Sequence, residues 1–398
     1  MTSRSFDLLI VGAGISGLGM ARMAKRRGLS SLVLEASSHL GGAIHTHHFE
    51  TPDGPVWAEL GGHTCYNSYG TLLELLEETG QLNRLQAKEK LRYRIQIGDR
   101  LASIPSQLNF LELLGVLPRL WMSQKAGRSV KDYYGHIIGR RNYAQVLGPA
   151  LDAVVCQPAA DFPADALFRK KPRRKEILRS YTGPMGLQSF VAGLATDLEI
   201  RTQTPVEVIE KGDIGYCVSL PDGGQIEAAH IALAVAPDVA ADLLRDLMPS
   251  LASRLDEIEM AKIESHAVLV RAGDTQLPEV AGIIGHEDDF FSVVSRDLVP
   301  QTGYRAFTFH FRPRRLSEEA RLTRICEVLG VDSSAIISSV CLDNRLPALR
   351  LGHAERIAWV DRQLRDLPLG LTGNWFQGVS IEDSLVRTSQ EFKRLMSQ

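Results

Sequence analysis

The residues nearest the N-terminus are of the types that hold a phosphate rather than attack one. Gly12-Ala13-Gly14-Ile15-Ser16-Gly17 follows directly on the apolar run Phe6 to Val11, and Glu35 closes the next apolar run, Ser31 to Leu34, ahead of Gly41-Gly42. In this spacing Gly12 permits a tight turn out of a strand, Gly14 lets backbone amides approach a pyrophosphate, and Gly17 lets the next helix lie close to the sheet. The phosphate then rests on the helix N-terminus at Gly14, Ile15 and Ser16, where unpaired N–H groups and the macrodipole favour an anion without a basic side chain. Glu35 stands where a second strand ends and accepts hydrogen bonds from a ribose hydroxyl pair. Together these residues predict an adenosine cofactor that lacks a 2′-phosphate.

The elements that must position them are a strand, a helix rich in small residues (Gly17, Gly19, Ala21, Ala24) and a second strand. No second GxGxxG is present that would receive a nicotinamide dinucleotide. Composition sets the wider frame. The chain has 398 residues, 44% hydrophobic and 23% charged, which suits a soluble globular protein of two domains. A net charge of −2 argues against a general nucleic-acid binder, whose affinity rests on neutralising phosphates. The five cysteines are scattered without CxxC spacing, so neither a disulfide framework nor a zinc site is expected. The N-terminus runs straight into the first strand, and no run of about twenty apolar residues appears. A cytoplasmic location is expected.

Along the chain, Gly70 to Glu78 has helical spacing, and Arg92 to Ile97 with Arg100 to Ile104 reads as a hairpin around Gly98-Asp99. Gln107 to about Leu194 is mainly helical. Strands are expected at Val206 to Ile209, Tyr216 to Leu220, Ile226 to Val235, His266 to Val270, Phe291 to Val294 and Ala306 to Phe311. Helices are expected at Val239 to Leu255, Glu318 to Leu329 and His353 to Leu364. The C-terminal stretch Gly370 to Ser384 reads as strand, glycine loop and helix.

The segment from Glu35 through Gly41-Gly42-Ala43 resembles the acid, short spacer and double glycine of the amine oxidase and protoporphyrinogen oxidase flavoproteins. Glu59-Leu60-Gly61-Gly62-His63-Thr64, the hairpin ending at Pro105, Ser129 to Tyr134, Gly183 to Phe190 and Gly373 to Ser380 resemble further landmarks in the same order. The chain is thus similar to the protoporphyrinogen oxidase-like branch of the FAD-dependent amine oxidase superfamily.

That resemblance implies an α/β fold: a Rossmann-like FAD-binding domain of glutathione reductase type with an inserted α+β substrate domain. The implied FAD-binding segments are 1–88, 196–250 and 351–398, with substrate-domain segments 89–195 and 251–350. It implies FAD on Gly12, Gly14, Ile15, Ser16, Gly17, Glu35, Ala36, Gly41, Gly42 and Ala43. The flavin would be lined by Gly61, Gly62 and His63, adenine met by the backbone of Val206, and the site closed by Gly373, Asn374, Trp375, Gly378, Val379 and Ser380. Amides at Val379 to Ile381 would face the negative charge of a reduced flavin. At about 400 residues the chain is shorter than most protoporphyrinogen oxidases, so its substrate domain is trimmed.

The activity so implied is hydride transfer from a bulky apolar or heterocyclic substrate to flavin N5, with oxygen or a quinone as acceptor and no obligatory catalytic acid or base. Amine oxidation or polyene desaturation are variants. A non-redox flavoenzyme similar to UDP-galactopyranose mutase is the second class, and a flavin-binding protein without turnover the third. His45, His47 and His48 are not expected to hold a metal, because alternation along a strand sends His48 away from the others. The basic run Arg169 to Lys175 reads as a solvated loop, with anionic lipid or substrate carboxylates as its other partners. Phe110 to Met122, broken by Pro118, reads as ordinary core, with a tunnel lining or a peripheral membrane contact as the other readings.

Overall fold

In a computed structural model, which describes residues 5–397, the apolar runs flanking the glycine triplet form β1 (Ser5–Val11) and β2 (Ser31–Leu34), joined by α1 (Ile15–Arg26). They pair in parallel, Leu8 to Val11 opposite Ser31 to Leu34. A parallel sheet covered on both faces needs continuous apolar strands, and Leu8, Leu9 and Ile10 are accordingly all fully buried. The sheet runs Ile200–Arg201, β2, β1, Gln225–Leu233, Tyr216–Ser219 and Val208–Lys211. The end of Gln225–Leu233 lies between β1 and Leu369–Leu371, parallel to both. Strands from the start, middle and end of the chain therefore share one sheet.

Burial of α1 on nearly every side, Ser16 through Ala24, explains its small residues. A Cβ on Gly19 would lie 2.6 Å from Leu385 Cδ2 in the C-terminal helix Ile381–Leu395. The one charged side chain in that buried stretch, Arg22, donates to the carbonyls of Leu194 and Gly193 at 2.6 and 3.3 Å and to that of Thr196, closing the end of helix Gln188–Ala195.

A second sheet is almost wholly antiparallel, in the order Ile336–Pro347, Met260–Arg271, Tyr304–Phe311, Phe290–Ser295, Gly282–His286, Tyr93–Ile97, Arg100–Ser103. Against this second sheet packs the ribbon Thr46–Phe49 and Val56–Glu59, whose Phe49, Val56 and Ala58 meet Ala267, Leu269 and Ala306. This ribbon leads directly into Gly61-Gly62.

The structure corrects several expectations. Val239 to Leu255 is not one helix but two, Pro237–Leu244 and Pro249–Asp256, because Pro249 lacks an N–H and opens a new first turn. The strand expected from Val206 begins at Val208. Gly282–His286 and Ile336–Pro347 are strands that periodicity did not reveal: the first is buried throughout, and the second is a largely exposed edge. Phe110 to Met122 is not core. It forms two short helices, Phe110–Val116 and Arg119–Met122, that expose most of their apolar side chains. Among the described residues no helix is long and apolar enough to cross a membrane.

Candidate functional site

The glycine triplet turns as its spacing requires. Gly12 sits at φ +100°, and a Cβ there would lie 2.6 Å from the Ala234 carbonyl oxygen. A Cβ on Gly17 would lie 1.8 Å from Gly12 O, so the helix can approach the turn only without one. Gly14 is the N-cap of α1, with no side-chain cap and no acid in the first turn. Those helix N–H groups are left for an anionic ligand.

Glu35 stands at the carboxyl end of β2. Its Oε2 accepts the Ala13 N–H at 2.7 Å, and its Oε1 accepts the N–H and hydroxyl of Ser37, both at 2.9 Å. The carboxylate is thereby oriented while lone pairs remain for a diol. The segment carrying half-buried Val206 runs alongside, since Gln203 and Thr204 donate to the carbonyls of Ser37 and Glu35, both at 2.9 Å. Ala36 is exposed beside them.

The second glycine pair closes against the first. Gly41 donates to the Ala13 carbonyl at 2.9 Å, and a Cβ on Gly42, at φ +58°, would lie 3.2 Å from Gly14 Cα. The third pair closes on the second: a Cβ on Gly61 would lie 2.1 Å from Ala43 O, to which Gly62 donates at 3.1 Å. Three glycine segments thus make one groove with a backbone floor, exposed at Gly42 and Ala43 and half-exposed at Gly14, Ile15, Gly61, Gly62 and His63. Its shape and uncapped helix end fit a long dinucleotide.

The far end of the groove opens into a cavity of about 1000 Å³, at the upper end of the usual range for small-molecule sites. Gly62, His63, Val379 and Ser380 line it on one side, and Ile104, Ala153, Ile283 and Val293 supply apolar wall. Burial pushes the His63 imidazole down to about 3, which keeps it neutral. Lys88 donates from Nζ to His63 O at 2.9 Å and to Thr64 Oγ1 at 2.7 Å, and burial lowers its ammonium to about 8. Glu59 is buried with its carboxyl pushed up to about 7, although it accepts from Thr46 Oγ1 and Leu187 N, both at 2.7 Å.

The C-terminal loop is only partly as expected. Val379 and Ser380 line the cavity, and Ser380 caps the last helix by accepting the Asp383 N–H at 3.1 Å. That helix N-terminus carries Glu382 and Asp383, which oppose a nearby anion, and Lys171 offsets Asp383 through an ion pair at 2.6 Å. Trp375 does not reach the cavity. Its ring is fully buried against Phe376, its indole N–H donates to Val235 O at 3.0 Å, and its carbonyl meets His353 Nε2 at 2.6 Å. Gly373, at φ +153°, gives the indole room, since a Cβ there would lie 2.9 Å from Trp375 Nε1. Asn374 is half-buried, and Gly378 lets the loop pass Asp383.

The basic run is exposed, yet it is also part of the site: Arg169, Lys170, Lys171 and Arg173 border the cavity together with Arg179. Among the described residues Lys170, Arg173 and Arg179 form no ion pair. The histidines disperse: His39 meets His45 at 3.0 Å, His48 meets Met185 O, and His47 packs edge-on against Phe49. Among the described residues no three His, Cys, Asp or Glu side chains converge as for a metal.

Residue spacing gave no sign of Gln188, whose Nε2 donates to Leu40 O at 2.7 Å, or of Asn344, whose Nδ2 joins Leu60 O to Ser265 Oγ, both at 2.8 Å. Lys88 and Glu59 were equally hidden as interacting side chains. Each acts across a long sequence separation.

Comparison with known proteins agrees with this geometry. Residues 10–79 match the NAD(P)-binding Rossmann-like domain family, and residues 94–269 match the flavin containing amine oxidoreductase family. A flavin-containing amine oxidase of Danio rerio is 35% identical over 81 residues, covering 20% of this chain and 15% of that protein. A 15-cis-phytoene desaturase of Narcissus pseudonarcissus is 34% identical over 86 residues, covering 22% and 15%. The chain therefore aligns with only about 15% of the length of these relatives. Among solved structures, a protein assigned as a protoporphyrinogen oxidase from Exiguobacterium sp. 255-15 superposes with a TM-score of 0.75 at 19% identity, covering 100% of both chains. Cyclohexylamine oxidase of Brevibacterium oxydans IH-35A gives 0.73 at 15% identity, covering 99% of both. Over residues 94–269 the chain is thus similar to the flavin containing amine oxidoreductases, and FAD is the cofactor that this similarity implies.

Proposed function

We propose that this chain is an FAD-dependent oxidoreductase that takes a hydride from a bulky, largely apolar ring substrate carrying anionic groups, in the manner of a protoporphyrinogen oxidase. The observation that carries the reading is the cavity itself: apolar walls beside His63 and Val379, and a border of Arg169, Lys170, Arg173 and Arg179. Apolar walls hold a ring system by burial, while unpaired guanidinium and ammonium groups at the border favour carboxylates.

Bound FAD supplies the hydride-accepting chemistry. In this reading the residues of Gly12 to Gly17, Glu35, Ala36, Gly41 to Ala43 and Val206 hold its ADP half. Gly61, Gly62, His63, Val379 and Ser380 line its ring, and Gly373, Asn374 and Gly378 shape the closing loop. Lys88 fixes the backbone at His63, and Lys171 neutralises Asp383 beside the ring. The FAD-binding segments are 1–88, 196–250 and 351–398, and the intervening segments carry the substrate. Oxygen or a quinone takes the electrons.

Cationic amines are disfavoured by the same border, and a polyene gives it nothing to bind. An anionic sugar nucleotide suits it, which keeps the mutase reading in play. Initial rates with protoporphyrinogen, its neutral methyl ester and UDP-galactopyranose, with and without dithionite, separate these. The proposal expects oxidation of protoporphyrinogen, with a KM that rises about tenfold or more for the ester or for Arg173→Gln/Arg179→Gln. Turnover of the sugar nucleotide only under dithionite overturns it.

A further inference from the structure

The two short helices Phe110–Val116 and Arg119–Met122 present their amphipathic faces the wrong way round for a water-soluble surface. Phe110, Leu111, Leu114, Leu117, Leu120, Trp121 and Met122 are 61, 81, 64, 46, 47, 91 and 85% exposed, whereas Val116 is buried. Asn109 and Glu112 turn inward. Asn109 caps the first helix and its carbonyl accepts from Asn142 Nδ2, and Glu112 accepts the N–H groups of Arg141 and Asn142 at 3.0 and 2.8 Å. Seven large apolar residues within thirteen make a contiguous patch of the kind that marks an interaction site.

Charge identifies what the patch meets. Glu112, the one acid between Pro105 and Lys131, is spent on the protein's own backbone, while Arg119, Lys125 and Arg128 carry the charge on this segment. Lys125 Nζ reaches Leu167 O at 3.2 Å, which joins the segment to exposed Phe168 and to the basic border at Arg169, Lys170 and Arg173. An apolar face with a Trp at its tip and a cationic margin matches a bilayer surface: side chains enter the acyl boundary while the cations meet anionic headgroups. A helix pair this short, broken at Pro118, lies on a bilayer and does not span it.

We propose that the face formed by residues 110–122 and Phe168 docks on a membrane surface that carries anionic phospholipid. Because Phe168, Arg169 and Lys170 also border the cavity, docking brings its mouth to the bilayer, a route suited to an apolar substrate. That last clause rests on the proposed function; the docking does not.

The test uses full-length, FAD-loaded protein floated with vesicles of phosphatidylcholine, with and without phosphatidylglycerol, binding being read in every variant from the protein that co-floats and Trp121 emission being followed in wild type alone. The expected result is binding to the anionic vesicles with a blue shift, at least about tenfold weaker in Leu111→Ser/Trp121→Ser/Met122→Ser. Arg119→Gln/Arg128→Gln should weaken binding to anionic vesicles and remove much of its salt dependence. Thermal melts show whether the variants fold, and no flavin turnover enters the readout, so failure here leaves the oxidoreductase reading standing. Equal binding by wild type and triple variant, or no binding by wild type, overturns the proposal. So does a wild-type dimer that the triple variant converts to monomer without any vesicle binding, which assigns the face to a second copy.

Discussion

Gln188 Nε2 donates to the Leu40 carbonyl at 2.7 Å across 148 residues, and through it a helix far along the chain fixes the second glycine turn. The Gln188 N–H also meets Thr46 Oγ1 at 3.1 Å, so backbone and side chain together tie this helix to both ends of the Leu40 to Thr46 segment. Gln188→Ala should leave the fold intact and weaken FAD binding about tenfold, the worth of one partly buried hydrogen bond of about 1.4 kcal/mol. Fluorescence titration of apoprotein with FAD reads this directly.

The groove's backbone floor makes a sharper demand. Gly61→Ala places a Cβ 2.1 Å from Ala43 O, a backbone atom that cannot move without opening the groove. The variant should purify without flavin or lose it on gel filtration, with a stability loss on the order of 1–3 kcal/mol. Gly115→Ala is the control, since nothing lies within 4 Å of its Cβ position and alanine favours the helix it sits in.

Lys171 and Asp383 form a pair at 2.6 Å at the start of the last helix, beside cavity-lining Ser380. Lys171→Met leaves an uncompensated carboxylate near the proposed flavin ring and disfavours the reduced, anionic form. The flavin potential should fall by on the order of 30 mV, about 1.4 kcal/mol for a two-electron couple. Lys171→Arg should restore it. A potential unchanged in both variants places the pair too far from the ring to matter.

Glu59 gives a pH signature. Its carboxyl is raised from 4.5 to about 7 by burial, against the opposing pull of Thr46, Leu187, Lys88 and Arg296. A raised carboxyl binds its proton more tightly folded than unfolded. Its contribution to stability is therefore full below about 4.5 and is lost as pH rises to about 7. His63, lowered to about 3, contributes with the opposite sign across part of that window, and Lys88, lowered to about 8, acts only at higher pH. The informative quantity is the difference between wild type and Glu59→Gln. Denaturant midpoints should show the variant gaining on wild type by on the order of 1–3 kcal/mol from pH 4.5 to 7 and holding level above.

Local chemistry made the parallel sheet and its glycine turns readable from sequence. Helices Gly70–Glu78, Glu318–Leu329 and His353–Leu364 fall where their periodicity puts them, because each has one buried face. The glycines of the groove were legible because turns and close approaches admit no other residue. What escaped reading depends on partners distant in sequence. Gln188 and Asn344 look like ordinary polar residues until the fold brings Leu40 and Leu60 to them. Trp375 was read as part of the closing loop because its neighbours are, yet its ring completes the core beside Val235 and His353. Phe110 to Met122 misled because apolar spacing reports a hydrophobic face without saying what lies opposite.

Hydride transfer from a ring substrate to the flavin is tested by an anaerobic absorbance titration of FAD-loaded protein with protoporphyrinogen, followed by readmission of air. Loss of the oxidised flavin band near about 450 nm, formation of protoporphyrin, and return of the band with oxygen are expected. Bound FAD that stays oxidised in the presence of excess protoporphyrinogen would contradict that transfer.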